Sequence, residues 1–263
     1  MIKYFQSQKG VSIIAALFII VVLAFMGVMF LSLVNTGSFS TVQDLRSAQA
    51  LSVAEGGLQY TLALNSNNTP NYSTNGNWTT LGEGRFRVDT PAFVTVPFTA
   101  NLATLTVDST ASFPSAGRLT MGTDFIITYA GTTPTTFTGI LPIPHPVHNV
   151  NDSVYPATGL ATAIANDPAC ATLATINVLE DTSGFDIPGI IFIDTEYFSC
   201  TARGLIAPFP FQNCQRCYAG SLPAAHPTTR FASQYTLTST GRVASISGSA
   251  ERVVRINAGP FDQ

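Results

Sequence analysis

The chain has 263 residues, 46% hydrophobic and only 10% charged, with 12 basic and 15 acidic side chains. A soluble domain carries about 25% charged residues, so the composition is charge-poor. The net charge of −3 excludes a basic nucleic-acid-binding surface as its organising feature, and no P-loop, dinucleotide fingerprint or Gly-x-Ser-x-Gly nucleophile turn is present.

The first predicted element is Gly10–Val34, GVSIIAALFIIVVLAFMGVMFLSLV, which has no charge and draws sixteen of its residues from Leu, Ile, Val and Phe. At ~1.5 Å per residue it is long enough to cross ~30 Å of hydrocarbon. At roughly −0.3 to −0.6 kcal/mol each, those side chains favour insertion by about 5 to 10 kcal/mol. Lys3 and Lys9, the only lysines, precede it. They hold the short N-terminal side in the cytoplasm and send the rest of the chain outward. A secretory signal has an apolar region of only ~7–15 residues before its cleavage site. This longer run continues into helix-like sequence, so it is expected to be retained, either as a plain single-pass anchor or after removal of a short leader.

Asn35-Thr36-Gly37-Ser38 is a soft spot, but from Ser40 the helical pattern resumes. Val42, Leu45, Leu51, Leu58 and Leu62 fall near one face, with Gln43, Asp44, Arg46 and Gln49 on the others. Asp44 and Glu55 read as solvated charges. A helix from Val11 to about Leu64 would be ~80 Å long, with Gly37 or Gly56-Gly57 as the places for a break. So long a rod cannot bury its whole surface against one small domain. Its apolar half implies lipid or the helical core of a filament.

Asn65–Gly84 is polar and reads as a surface loop carrying Asn-x-Ser/Thr triplets at Asn67, Asn71 and Asn77. Trp78, the only tryptophan, reads as sheet packing or as a binding aromatic. Arg85–Asp89 alternates as a strand and should pair with Tyr235–Thr240 and Glu251–Ile256, which meet through Gly241–Gly248.

Three pieces in order carry a resemblance. Lys9-Gly10 followed by VSIIAALFIIVVLAFMG resembles the class III leader junction of type IV pilins and pseudopilins. Arg46–Leu64 is similar to the early mature helix of PilX-type minor pilins, including Ala54-Glu55-Gly56-Gly57-Leu58. Gln234–Gly259, with Ser239-Thr240-Gly241-Arg242, resembles the closing hairpin of these proteins. The resemblance implies cleavage between Gly10 and Val11 by a prepilin peptidase, an inner-membrane helix with a periplasmic head, and assembly with other pilin subunits into a filament on the cell surface. Loss of the leader removes two of the 12 basic residues and leaves 10 against 15 acidic, a charge of −5. Most such proteins carry Glu at the fifth mature position, paired with a neighbouring subunit's N-terminal amine; here that position is Ala15, and Val11 replaces the usual Phe or Met. A bare ammonium among apolar helices is costly without a partner. The K-type pseudopilin at the tip of the secretion pseudopilus also lacks this Glu, so Ala15 implies a tip or priming position.

The expected fold is α+β: a leader over 1–10, a helix over 11–64 that spans the membrane over 11–34, and a head opening with a loop and strand over 65–100. Two β-modules over 101–158 and 159–232 precede a closing hairpin over 233–263. The modules are read from internal similarity. Val107 matches Val178, Phe113 matches Phe185, Gly117 matches Gly189, Leu119 matches Ile191 and Phe125 matches Tyr197, and each copy ends in a His-Pro loop at His145-Pro146 or His226-Pro227.

Cys170, Cys200, Cys214 and Cys217 all lie beyond the membrane segment, in an oxidising compartment. They permit two disulfides, a zinc site completed by His226, or a redox Cys-x-x-Cys. Tyr218–Pro223 is a poor helix, which weakens the redox reading. A turn near Leu205–Pro210 sets Cys200 opposite Cys214, which leaves Cys170 for Cys217. His145 and His148 have the spacing of a metal pair, but prolines deny them a helix. Asp194 and Glu196 fall on alternating strand positions, fit for acid–base or calcium chemistry or for the polar face of a strand. No cofactor, nucleic-acid partner or enzymatic activity is expected. Two other readings stay open: an adhesin whose modules bind glycans or proteins, and a membrane-tethered metal-dependent hydrolase.

Overall fold

A computed structural model describes residues 9–65, 74, 76–121, 125–245 and 248–258; the first eight residues of the expected 1–10 leader and the triplets at Asn67 and Asn71 lie outside the described residues. The chain divides into two units, Met1–Gln49 and Ala50–Gln263. Helix α1 (Lys9–Asn65) is unbroken over 57 residues, through Gly37 and Gly56-Gly57 alike. Around the soft spot, Thr36 Oγ1 donates to the Ser32 carbonyl at 2.8 Å and Thr41 Oγ1 to the Gly37 carbonyl at 3.0 Å. These hydroxyls are satisfied within the helix and offer the backbone no competing turn.

After α1 come β1 (Thr79–Leu81), β2 (Gly84–Asp89), β3 (Ala92–Phe93), β4 (Thr104–Thr106), β5 (Gly117–Met121), β6 (Phe125–Tyr129), β7 (Gly131–Thr133) and β8 (Thr136–Thr138). They are followed by β9 (Ser153–Gly159), β10 (Leu173–Ile176), β11 (Gly189–Ile193), β12 (Glu196–Arg203), β13 (Phe211–Gln215), β14 (Phe231–Ser233), β15 (Tyr235–Ser245) and β16 (Gly248–Ala258).

The first antiparallel sheet has the order β1-β2-β15-β16. Its inner face contributes Phe86, Val88 and Leu237 to a core with Val53 and Leu62 of α1. Of its two expected partners β2 pairs only with β15, which is the strand between β2 and β16. Part of the stretch read as a loop, Thr79–Leu81, adds a fourth strand. The helix face on this sheet also differs from the expected Leu stripe. Ala50, Ala54, Gly57, Leu58 and Thr61 are buried, whereas Leu51 is exposed. Small residues are needed there because the strand comes against the helix backbone: a Cβ built on Gly241 would lie 2.5 Å from the Ala54 amide nitrogen, and one on Gly57 would lie 2.5 Å from the Phe86 ring.

The larger sheet runs β10-β13-β12-β11-β14-β9-β5-β6, with β3 also on β9, and β4-β8-β7 forms a small third sheet. One set of pairings occurs twice. Val154 of β9 lies between Ala92 and Met121; Ala232 of β14 lies between Thr158 and Ile193. The bridges Val94↔Val107 and Phe98↔His148 recur as Leu160↔Val178 and Ile164↔His226. Strand β9 belongs to both sets, ending the first and opening the second. Two buried clusters follow, one with Phe98, Leu119, Ile127 and Phe137 and one with Ile191, Phe198, Phe211 and Ala232. Glu180 joins them: its carboxylate accepts from Arg118 Nε at 2.6 Å, Thr158 Oγ1 at 2.8 Å and the Gly159 N–H at 2.7 Å.

This register corrects two of the expected matches. His226 corresponds to His148 rather than His145, since both take the same bridge. The second hairpin closes at Ile193↔Glu196 and the first at Met121↔Phe125, so Phe125 aligns with Glu196 and not with Tyr197.

Candidate functional site

The residues singled out in the sequence fall mainly in two places: the apolar stretch of α1 and a buried polar cluster at the end of the second repeat. Gly10 and Val11 are within α1, and Ala15 is an exposed residue of the same helix. Around it and beyond, Ile13, Phe18, Phe25, Phe30 and Leu33 are each 67–71% exposed, on every side of the helix. Burying a large apolar side chain is worth roughly 1.5–3 kcal/mol, so this surface demands an apolar environment. By length and composition α1 can cross a membrane. A helix suits that setting because its backbone polar groups are bonded internally. Ala15 presents only a methyl group to whatever surrounds it.

The polar cluster is built on the turn between β11 and β12. Asp194 adopts a left-handed φ of 54° there, which Asp tolerates better than most side chains. The turn corrects the alternating-strand reading: Asp194 lies in the turn itself, while Glu196 opens β12 and is fully buried. Glu196 accepts two charge-assisted bonds from Arg216, Nε to Oε1 at 2.8 Å and Nη2 to Oε2 at 2.7 Å, and a third bond from the Ala224 N–H at 3.1 Å. Arg216 is buried as well, donating to the Ala165 and Ala224 carbonyls at 2.6 and 2.7 Å and lying 5.6 Å from the Phe198 ring centroid. His226 is held between the two carboxylates, Nε2 at 2.9 Å from Glu196 Oε2 and Nδ1 at 2.8 Å from Asp194 Oδ2. Burial pushes the Glu196 carboxyl up, but Arg216, His226 and the Ala224 amide outweigh it and hold the group down to about 2. The same pairing raises Arg216 against its own burial.

The two carboxylates flank opposite edges of the imidazole instead of converging with one of its nitrogens on a common point. Among the described residues no group of three or more His, Cys, Asp or Glu is arranged to hold a metal ion. What the cluster can do is brace: it fastens the β11–β12 turn to β13 and to two loops through groups that are costly to leave unpaired. The cysteines flank it. Cys170 is bonded to Cys217, next to Arg216, with a Cα–Cα distance of 5.7 Å, and Cys200 to Cys214 across the β12–β13 pair. Among the described residues no cysteine is free. In the first repeat His145 stacks on Phe98 with centroids 3.8 Å apart, and His148 Nδ1 lies 3.3 Å from Asp152 Oδ2. The two rings serve separate packing roles rather than facing one ion.

Arg216 is the residue that sequence reasoning missed. Its one signal was a lone charge inside Cys214-Gln215-Arg216-Cys217, between two half-cystines. Compared with known proteins, the chain matches no family model, no curated protein and no solved structure. Its class therefore rests on architecture. A long N-terminal apolar helix packed through its later turns on an antiparallel sheet is a pilin-like fold, here extended by a second, larger sheet with a repeated set of pairings.

Proposed function

We propose that the chain is a minor pilin or pseudopilin, a structural subunit of a type IV pilus or related filament. The observation that carries this reading is the surface of α1, where large apolar side chains from Ile13 to Val34 are exposed around the whole helix without a charge. Such a helix resides in lipid and can leave it only by bundling with helices like itself. Prepilin peptidase cuts between Gly10 and Val11 on the cytoplasmic side of the inner membrane, and the head faces the periplasm. The helix then joins other subunits, and the filament carries the head to the cell surface. Ala15, in the place of the usual Glu, removes the partner for a neighbour's N-terminal amine and favours a tip or priming position over the shaft. Gly10→Val tests the reading. The expected product keeps residues 1–10, measured as intact mass, and is missing from sheared filaments. Wild-type mass with normal incorporation would contradict it.

A further inference from the structure

The outer face of the four-stranded sheet, turned away from α1, carries a groove of about 660 Å³. It lies between the Gly82-Glu83 turn and the β15–β16 hairpin end, and its lining includes Trp78, Thr80, Glu83, Arg85, Arg242 and Ser249. The strand register makes it. Arg85 and Arg242 are directly opposed on β2 and β15, and Thr80 is opposed to Arg85 on β1, so all three project to one side. We propose that this groove is a binding site for an acidic saccharide, a sugar bearing a carboxylate.

Three observations select that chemistry. Trp78 is half-buried, its ring fixed by Arg87 and Arg242 with guanidinium carbons 5.4 and 5.6 Å from the centroid. A rigid indole edge and face beside hydroxyl groups suits the apolar side of a sugar ring. Two of the three arginines around it are engaged: Arg87 Nε with Asp89 at 2.7 Å, and Arg242 Nε with Glu251 and Ser249 at 3.1 Å each. Arg85 is exposed and has neither an ion pair nor a hydrogen bond among the described residues. It is a planar fork matched to a carboxylate and not already holding one. The volume falls within the roughly 300–1,000 Å³ range of small-molecule sites. Glu83 in the lining and Glu251 on Arg242, in a chain of net charge −3, oppose a polyphosphate. The occupant is thus a saccharide with a single carboxylate per residue and not a nucleic acid. The site lies on the pilin-like sheet rather than in the repeated modules, and it stands independently of filament assembly.

Trp78 is the only tryptophan, so its emission reports on the groove directly. The full-length chain, in a non-ionic detergent without a sugar head group, is titrated with N-acetylneuraminic acid and with galacturonic acid oligomers up to about 10 mM, the range of weak recognition. Neutral galactose oligomers and a DNA duplex are titrated in parallel. A saturable change in emission is expected with an acidic sugar and not with the neutral one. Arg85→Ala should weaken it about tenfold or more, Arg85→Lys should recover only part of the loss, and Arg230→Ala, at an arginine just before β14, should leave it unchanged. No saturation with either acidic sugar, equal response to neutral sugar or DNA, or full affinity in Arg85→Ala would each overturn the proposal.

Discussion

Gly241→Ala adds one methyl group at the tightest point between α1 and the sheet. Its Cβ would lie 2.5 Å from the Ala54 nitrogen and 3.0 Å from the Ala54 Cα, and closer still to the Ala50 carbonyl oxygen. Those atoms are helix backbone and cannot rotate away as a side-chain end would. Restoring van der Waals distance requires a separation of about 1 Å, which forfeits a large part of the dispersion contact along the seam. Val53 and Leu62 would then lose packing against Phe86, Val88 and Leu237. Overpacking costs about 1–3 kcal/mol, and rigid backbone on the helix side puts this case at the upper end. The gain of roughly 0.4–1 kcal/mol from a stiffer unfolded chain does not offset it. For a unit of this size, a loss near 3 kcal/mol corresponds to a drop in Tm of about 6–12 °C. Thermal unfolding of the full chain in detergent, followed by far-UV circular dichroism, measures it. Gly37→Ala, where nothing beyond the helix's own neighbouring backbone lies within 4 Å of the added carbon, is the control and should lose nothing. A Gly241→Ala variant as stable as wild type would refute the close-approach argument.

The cluster around Glu196 gives two further predictions. Arg216→Met leaves a buried carboxylate and the Ala165 and Ala224 carbonyls without their donor, and should cost about 3–5 kcal/mol in a urea titration. Loss of less than about 1 kcal/mol would show that water reaches the site. Glu196 also sets an acid limit. Its folded-state pKa is depressed to about 2 from an ordinary 4.5, so the native chain binds fewer protons than the unfolded one between those values. The stabilisation, on the order of 3 kcal/mol for a fully buried group, is complete above about pH 5 and falls away as pH drops toward 2. Urea midpoints measured across that window should decline in wild type more steeply than in Glu196→Gln; parallel slopes would contradict the assignment.

The helix and the first sheet were readable because each follows a single period. An uncharged run of 25 residues has few alternatives to a lipid or bundle helix, and Arg85-Phe86-Arg87-Val88-Asp89 alternates cleanly between outside and core. The helix face was misjudged for a related reason. Hydrophobic size pointed to Leu51, whereas the seam is decided by backbone proximity, which selects Ala50, Ala54 and Gly57. Gly57 and Gly241 lie where the helix and the sheet come closest, which a larger side chain at either position would prevent. The repeat register slipped because proline follows both His145 and His226, while the backbone bridge that equates His148 with His226 leaves no mark in composition. Asp194 and Glu196 share one turn, but Arg216 follows β13 and His226 lies on a later loop. The local spacing marks Asp194 and Glu196, but nothing local joins them to Arg216 and His226, which the β12–β13 pairing and the Ile164↔His226 bridge bring in.

The central claim is that the apolar helix remains attached to the head and is exposed for bundling after removal of a short leader. The most direct measurement is the intact mass of the native chain extracted from membranes. The account predicts a chain that begins at Val11 with Ile13–Val34 retained, two disulfides and no other loss. A chain that begins well past Val34 would leave a secreted β-protein and contradict the filament role.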